Sequence, residues 1–279
     1  MSKKKWFISG LIVIILAVFG YFSFGSHGSS NSRTVTVGIM SGNKKDDVIW
    51  KSIAKTAKDK YNVTLKFKTF SDYSQPNKAL QNGDIDLNAF QHYAFLDAYN
   101  AKNGNKLTSI GETIIGQGRL YSKSYKSVDD FQNGDTIVIP NDPSNESRAL
   151  YILQSAGLIG LKSGLSLATT KDITSNPKNL TIKEVAADQT ARNLDSVQGA
   201  IINGNYAQAA GIDYQSAIFV EPLSENSHKW VNIIAARKSD KNKKIYQDVV
   251  KAYQTKTTQD LIKKEYGTAT ISAWDKNFK

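Results

Sequence analysis

The sequence predicts an α/β protein in which two lobes enclose a ligand cleft. Strand-like and helix-like segments alternate from residue 34 onward, which is typical of α/β folds with largely parallel sheets. They form two sets of roughly 100 residues, followed by a closing strand and two helices. With 279 residues, 40% hydrophobic and 22% charged, the chain can bury a full core without disulfides or metals. We expect a ligand to lie between the lobes, at the carboxyl ends of strands.

The amino-terminal segment predicts a membrane anchor. Three lysines at positions 3–5 precede an apolar run of 20 residues, Trp6 to Gly25. A helix of that length spans roughly 30 Å, the hydrocarbon thickness of a bilayer. The positive-inside rule places the remainder outside the cytoplasm, and residues 26–32 are typical of a flexible tether. A cleaved signal peptide with a weak exit site at Ser23 and Gly25 is the alternative. We expect an uncleaved transmembrane helix, with the folded part on the extracytoplasmic side of the cell membrane.

The first α/β set begins with a strand over Thr34–Met40, because its side chains alternate at period two. A helix over 46–60 follows, in which Ile53 and Ala57 recur at helical spacing. The other elements predicted in this set are strands at 63–70 and 87–90 and helices at 76–83 and 92–102.

The second set starts near Arg119 and is followed by the closing elements. Pro140 ends its first clear strand and Gly157 ends the next helix. The predicted strands cover 136–139, 180–185, 199–202 and 231–236, and the predicted helices cover 144–156, 205–210, 242–255 and 257–266. We therefore expect one lobe from residues 33–118 plus 232–279 and the other from 119–231. Residues 1–32 form the basic flank, anchor and tether.

The formal charge of +11 lies mostly at the two ends of the chain. Residues 6–234 hold 22 basic and 20 acidic side chains, so the body is almost neutral. Nucleic-acid grooves favour arginine interleaved with aromatics, and this chain has only five arginines, at positions 33, 119, 148, 192 and 237. We expect no nucleic-acid partner, and we interpret the lysine-rich end as a solvated helical surface.

The sequence contains few residues or motifs that would indicate catalysis or metal binding. No Cys is present, which excludes disulfides, thiolate ligands and thiol nucleophiles within the 279 residues. Histidine occurs only at positions 27, 92 and 228, and no serine-hydrolase, zinc-protease or phosphate-loop motif is found. The short pattern Gly116-Gln-Gly118 is followed by a strand rather than a helix and is interpreted as a connection between lobes. We expect no catalytic residue, no metal and no cofactor.

Three polar side chains at strand or helix ends are candidates for ligand binding. Arg148 lies in the first turn of a predicted helix, where the helix dipole disfavours a cation unless an anion is bound. Asn203 follows a short buried strand, and Asn232 lies within an apolar strand, where its amide must be hydrogen-bonded. Local alternatives stay open: a surface Arg paired with Glu146 or another neighbour, a turn asparagine, and an amide bonded to backbone.

Aromatic residues concentrate at a strand-to-helix junction, in the segment 90–99. His92 and Phe95 stand at the start of a predicted helix, near the end of a strand. Tyr73, just after another strand, could close the same pocket. The alternative is an aromatic core face, which is the better interpretation for Leu96 and Tyr99.

Several motifs in order make the chain resemble the methionine-binding NlpA-type components of bacterial ABC importers, from Val35 to the last helices. The motifs that carry the resemblance are Phe70-Ser-Asp-Tyr-Ser-Gln-Pro-Asn77, Gly83-Asp-Ile-Asp-Leu-Asn-Ala-Phe-Gln-His92, Ile139-Pro-Asn-Asp-Pro-Ser-Asn-Glu-Ser-Arg148, Asn176-Pro-Lys-Asn-Leu180 and Ile201-Ile-Asn-Gly-Asn-Tyr-Ala207.

The resemblance implies a two-lobed periplasmic-binding-protein fold, type II-like, that closes around an amino acid. It also implies delivery of that ligand, most often methionine, to a membrane permease with its ATPase. By position, the family's ligand contacts match Tyr73, His92, Phe95, Arg148, Asn203 and Asn232. Arg148 would hold the carboxylate, the two asparagines the amino and carboxylate groups, and the aromatic side chains would enclose the ligand side chain.

Two departures from the family pattern keep alternatives open. Family members are usually lipoproteins attached through an N-terminal Cys, and here the apolar segment 6–25 would have to replace the lipid. Position 95 is Phe where the family often has Tyr, so one hydroxyl is missing. The alternatives are a binding protein for another amino acid or for a small methionine-containing peptide, an exported enzyme with His92 as base, and a cell-wall-binding protein.

Overall fold

The computed structural model describes residues 33–276. Within them, 14 strands and eight α-helices are formed, and most of them alternate along the chain. The strands are β1 Thr34–Met40, β2 Thr64–Phe70, β3 Leu87–Asn88, β4 Leu107–Glu112, β5 Ile114–Gly116, β6 Arg119–Tyr121, β7 Thr136–Pro140, β8 Gly160–Leu161, β9 Ile173–Ser175, β10 Thr181–Val185, β11 Gly199–Ile201, β12 Ala217–Val220, β13 Ile233–Arg237 and β14 Thr270–Ser272. The helices are α1 Lys44–Tyr61, α2 Pro76–Asn82, α3 Tyr93–Lys102, α4 Pro143–Ser155, α5 Thr190–Asn193, α6 Gly204–Ala209, α7 Lys244–Tyr253 and α8 Lys256–Tyr266.

Local sequence explains where the main helices begin and end. Asn43 caps α1 by accepting from the N–H groups of Lys45 and Asp46, and Asn62 ends the helix in a left-handed conformation. Asp142 caps α4, and Pro143 occupies its first turn, where a missing N–H removes no helical bond.

Two mixed five-stranded sheets form the body of the described chain. The first has the order β2-β1-β3-β13-β4 and the second the order β10-β7-β11-β6-β12. In each sheet three strands are parallel, and the last two strands add antiparallel pairs. The alternation of elements had predicted largely parallel sheets. Every antiparallel pair of these two sheets involves β6 or β13, the strands that follow each passage of the chain between the sheets, and neither strand is preceded by an α-helical crossover.

Three buried clusters tie the elements together. The first lies between the first sheet and helices α1, α7 and α8, with Val37 and Ile53 fully buried. Another lies between the second sheet and α4. The cluster between them combines residues of both sheets, such as Met40 and Ile233 of the first with Val138 of the second. Both sheets are therefore packed into one body in this structure.

The predicted membrane anchor at 6–25 lies outside the described residues. Across residues 33–276, no helix is both long and apolar enough to cross a bilayer.

Candidate functional site

A cavity lies between the two sheets, with about 160 Å³ of space open to the centre of a water molecule. Its lining comes from loops that follow the carboxyl ends of β1, β3, β7 and β11, which is where α/β folds bind ligands. All six candidate residues from the sequence line this one cavity: Tyr73, His92, Phe95, Arg148, Asn203 and Asn232.

One wall of the cavity is aromatic. The rings of Tyr73, Phe90 and Phe95 stand 5.5–6.0 Å apart by their centroids, two of the three pairs edge to face. The ring of Tyr206, on α6 beside the second sheet, has its centroid 4.9 Å from that of Tyr73 and is tilted by 44° to it. A wall of aromatic rings favours an apolar, polarisable ligand side chain packed against it.

His92 is the residue before the first turn of α3, and its ring is held on both nitrogens. Its Nδ1 accepts from the backbone N–H of Phe95 at 3.1 Å, and its Nε2 lies 3.4 Å from Asn145 Oδ1. Burial and, to a smaller extent, the nearby charge of Arg148 together lower the pKa of His92 to about 3. A neutral ring that accepts at Nδ1 carries its proton on Nε2, so it donates to Asn145.

Asn145 joins His92 to Asn203. Its Oδ1 accepts from Asn203 Nδ2 at 2.8 Å, and its Nδ2 donates to both carboxylate oxygens of Asp142. Asn203 precedes α6 but does not cap that helix with its side chain. Its Oδ1 is buried and has no hydrogen-bond partner among the described residues. A buried acceptor without a donor is unfavourable, so a donor from the cavity would be stabilising there.

Arg148 forms a buried ion pair with Glu221, and not with Glu146. Its Nε lies 3.1 Å from both carboxylate oxygens, and its Nη2 donates to Glu221 Oε2 at 2.5 Å and to Gly116 O at 2.8 Å. The Nη1 group has no hydrogen bond to residues 33–276 and is the donor left for a bound anion. The guanidinium carbon also lies 5.1 Å from the centre of the Trp230 ring.

Asn232 comes just before β13, not inside a strand as the sequence had predicted. It forms an isolated antiparallel bridge with His92. Its backbone N–H donates to Ile114 O and its carbonyl accepts from Thr113 N–H, both at 2.8 Å. The backbone is thus satisfied by neighbouring strands, and the side chain is left to line the cavity.

A buried amide network supports the loop before His92. Gln91 exchanges two hydrogen bonds with Asn77, at 2.8 and 2.6 Å, and donates to Asn88 Oδ1 at 2.9 Å. Asn88 in turn donates to Asn77 Oδ1 at 2.9 Å. All three side chains are almost fully buried, so the network fixes the entry of the chain into the aromatic wall.

Contacts across the cavity join residues on the side of the first sheet to residues on the side of the second sheet. The Tyr73 hydroxyl donates to Asn205 Oδ1, and the Tyr206 hydroxyl donates to Ser71 O at 3.3 Å. On another side of the cavity Tyr214 lies between two cations, with Lys45 Nζ 5.7 Å and the Arg119 guanidinium 5.1 Å from its ring centre.

The sequence did not point to several residues that line or support the site. Asn145 lies inside the motif from Ile139 to Arg148, but only the structure shows that it joins His92 to Asn203. Glu221 and Arg148 are 73 positions apart, and no motif links them. Asn205 and Trp230 also line the cavity.

The arrangement offers binding groups rather than reactive ones. The Arg148 charge is balanced by Glu221, and His92 is neutral. Two further charged residues of the lining, Asp46 and Arg119, have opposite signs, so the cavity suits a ligand without net charge. Both His92 nitrogens are engaged, which argues against the general base of the enzyme alternative. Within residues 33–276 no cluster of three or more His, Cys, Asp or Glu could hold a metal ion.

The fold and cavity define a class of two-sheet α/β proteins that enclose a small polar and aromatic cavity. The chain belongs to the NlpA lipoprotein family, whose model matches residues 35–274. The resemblance seen in the sequence motifs is therefore confirmed.

Named relatives and solved structures agree with this assignment. A probable D-methionine-binding lipoprotein MetQ of Pasteurella multocida is 40% identical over 87% of each chain. The substrate-binding protein of a methionine transporter from Streptococcus pneumoniae is 41% identical, with a TM-score of 0.82, over 86% of this chain and 96% of that one. A nutrient-binding protein from Burkholderia cenocepacia, solved bound to methionine, is 40% identical, with a TM-score of 0.81, over 86% and 99%.

Proposed function

We propose that this chain is the substrate-binding component of an ABC importer and that it binds L-methionine or a closely related amino acid. The observation that carries the proposal is the pairing of an arginine with an open Nη1 and an unpartnered amide oxygen in one cavity beside an aromatic wall. The similar proteins named above, which bind or transport methionine, support the same ligand. They are named as binding proteins, not as enzymes.

The polar groups of the cavity suit the zwitterionic end of an amino acid. The carboxylate would accept from Arg148 Nη1 and from the Asn232 amide, and the ammonium would donate to Asn203 Oδ1. A neutral zwitterion leaves the net charge of the cavity unchanged, whereas a dicarboxylate would add an uncompensated charge at a buried site.

The aromatic wall suits the thioether end. Tyr73, His92 and Phe95 would enclose the ligand side chain, and methionine sulfur packs favourably against aromatic rings. Because Phe95 brings no hydroxyl, this end of the cavity favours an apolar side chain over one that needs a hydrogen bond.

Binding would bring two lobes together around the ligand. We assign residues 33–118 and 232–279 to one lobe and 119–231 to the other, because the chain passes between the sheets at residues 117–118 and between β12 and β13. Closure of such lobes on a ligand is a hinge motion. The closed form would be the one presented to the permease and its ATPase.

We further propose that the segment 6–25 anchors the protein, with the cavity on the extracytoplasmic side. The similar MetQ protein is named a lipoprotein, which places the family at a membrane. This chain has no Cys to carry a lipid. The 20-residue apolar run behind three lysines would supply the attachment instead.

Isothermal titration of the full chain in detergent with L- and D-methionine tests the ligand assignment. We expect Arg148→Ala to weaken binding by about 2–5 kcal/mol, since a charge-assisted pair to a buried carboxylate is lost. Arg192→Ala, at an exposed position on α5, is the matched control and should bind normally.

Arg148→Ala leaves Glu221 buried without its partner, so misfolding could imitate loss of binding. The double variant Arg148→Gln and Glu221→Gln removes both charges and keeps their volumes. A folded double variant that binds methionine like the wild type would refute the site assignment.

A further inference from the structure

A strongly positive segment of the folded body lies at one edge of the first sheet. Residues 44–70 hold eight Lys and three Asp, a net of +5. Residues 235–276 carry the same net charge from 10 basic and 5 acidic side chains, and the whole of residues 33–276 carries +7 from 32 basic and 25 acidic side chains. Helix α1 and strand β2 form this segment, and β2 is the outermost strand of its sheet. The segment has seven exposed lysines, of which Lys44 lies in the first turn of α1. We call the other six the basic edge: Lys51, Lys55, Lys58, Lys60, Lys66 and Lys68.

Little of this charge is neutralised locally. Lys55 pairs with Asp59 one turn along the helix. Lys58 donates to an amide, Asn62 Oδ1, at 3.0 Å, and Lys68 lies over the Phe70 ring at 5.8 Å. The other lysines of the basic edge have no acidic group within 4 Å in the part of the chain that the structure describes. A partner of this edge would therefore have to bring negative charge.

The chain enters the folded body at the same edge. Thr34, the first residue of β1, pairs in register with Thr64, the first residue of β2. Lys58 and Lys60, in the last turn of α1, precede Thr64 by only a few residues. Seven tether residues reach at most about 25 Å when fully extended. If the segment 6–25 is in a bilayer, the basic edge is confined to its vicinity.

Apolar side chains accompany the lysines. Phe67, between Lys66 and Lys68, is 38% exposed, and Val48 on α1 is 45% exposed. They are two of the three large hydrophobic side chains exposed in the described body. Phe67 points to the α1 side of β2, where its ring lies 5.6 Å from that of Trp50, and Lys66 and Lys68 point to the other side. Both sides of this edge strand therefore offer basic or aromatic side chains of the kinds that lie on lipid headgroups.

We propose that the basic edge binds the surface of an anionic phospholipid bilayer and so holds the tethered body in one orientation. The inference rests on the proposed membrane tether but not on the identity of the ligand. Lysines near an anionic leaflet attract it within a Debye length, about 10 Å at 0.1 M salt. The tether keeps the edge at high effective concentration, so individually weak contacts are sufficient.

A single fluorescent label reports the orientation, because the chain has no Cys of its own. Thr64→Cys places the label beside the basic edge. Thr181→Cys is the matched control, an exposed threonine at the start of β10, the outermost strand of the other sheet. Each full chain is reconstituted into vesicles whose acyl chains carry a quencher, made of phosphatidylcholine alone or with about one third phosphatidylglycerol.

We expect roughly threefold stronger quenching at position 64 in the phosphatidylglycerol vesicles at 0.1 M salt, and loss of the difference at 1 M, where the Debye length is about 3 Å. The label at 181 should show no such change. Replacing Lys60, Lys66 and Lys68 by Gln should abolish the effect. Replacing Lys126, Lys171 and Lys183 by Gln removes the same charge and should leave the effect unchanged. These exposed lysines lie within residues 119–231, on the side of the second sheet.

Equal quenching at position 64 in both lipids would overturn the proposal, as would quenching at 181 or an effect that survives the three edge substitutions. Protection of position 64 that appears only when permease is added would also overturn it, since the edge would then bind protein. Flotation with phosphatidylcholine vesicles tests the tether separately, and methionine titration of the same samples tests ligand binding.

Discussion

At the scale of single residues, Arg148 illustrates how a buried charge can be both neutralised and available. Glu221 holds Nε and Nη2, and the Gly116 carbonyl fixes the guanidinium plane. Glu221 is itself held by the N–H of Gly118 at 2.8 Å. The ion pair fixes the direction in which Nη1 faces the cavity, and this pre-organisation lowers the entropy that binding must offset.

The lowered pKa of His92 predicts a pH-dependent stability. Burial and Arg148 lower this pKa from 6.5 to about 3. Between those values the unfolded chain binds a proton that the folded chain does not, so stability falls as the pH falls through this window. We expect the wild type to lose about 2 kcal/mol more than His92→Asn between pH 6.5 and 5.

Urea unfolding of both full chains in mild detergent measures this difference. The Oδ1 of Asn takes the position of His92 Nδ1 and can still accept from the Phe95 N–H, so the start of α3 is retained. Asp46 acts in the opposite direction, because burial raises its pKa to about 6. Asp46 is present in both proteins, so its contribution to the pH dependence cancels when the two are compared. If the two proteins had the same pH dependence, the pKa of His92 would not be lowered in the folded state, and the prediction would be wrong.

The sequence could identify a residue of the site where that residue is unusual for its position in a helix or strand. Arg148 in a first helical turn and Asn232 beside an apolar strand are both unusual for their positions, and both line the cavity. Glu221 and Asn205 break no local rule. Their roles depend on Arg148 and Tyr73, which are distant in the chain, so no pattern of spacing could have identified them.

At the scale of secondary-structure elements, the packing of α7 on β4 depends on a glycine. A Cβ added at Gly111 would lie 2.6 Å from Val250 Cγ1 and 3.1 Å from Cγ2. We expect Gly111→Ala to destabilise the fold by about 1–3 kcal/mol, because α7 must move away from the sheet. Thermal or urea unfolding measures the loss.

Val250→Ala provides the test of that explanation. It removes the two methyl groups that the new Cβ would meet, so the double variant should be more stable than the sum of the single effects predicts. Simple additivity would show that steric conflict with Val250 is not the cause. Gly204→Ala, whose Cβ would meet only Tyr214 Oη at 3.5 Å, is a glycine control for stability.

Long elements with clear periodicity could be predicted from the sequence to within a few residues. The strand at 34–40 matches β1, and the helix predicted at 144–156 is found at Pro143–Ser155. The short strands β5, β12 and β14 could not be predicted. They have three or four residues each, and the pairing of Gly116 with Thr270 depends on contacts far apart in the sequence.

At the scale of the whole molecule, the proposed anchor predicts where the protein is found. We expect the full 30.8 kDa chain in the membrane fraction, because the apolar run 6–25 is long enough to span the bilayer. High salt alone should not release it. Mass spectrometry of the mature protein is the measurement, and a released form that begins near Ser26 would show that the segment is a cleaved signal peptide.

The contacts that cross the cavity have a kinetic consequence. Tyr73 with Asn205, Tyr206 with Ser71, and Tyr214 between Lys45 and Arg119 each have partners on both sides. A ligand held behind them leaves only after they separate, so the opening rate sets an upper limit on release that different ligands share. A transporter that pulled the two sides apart would then discharge the ligand without altering any group that touches it.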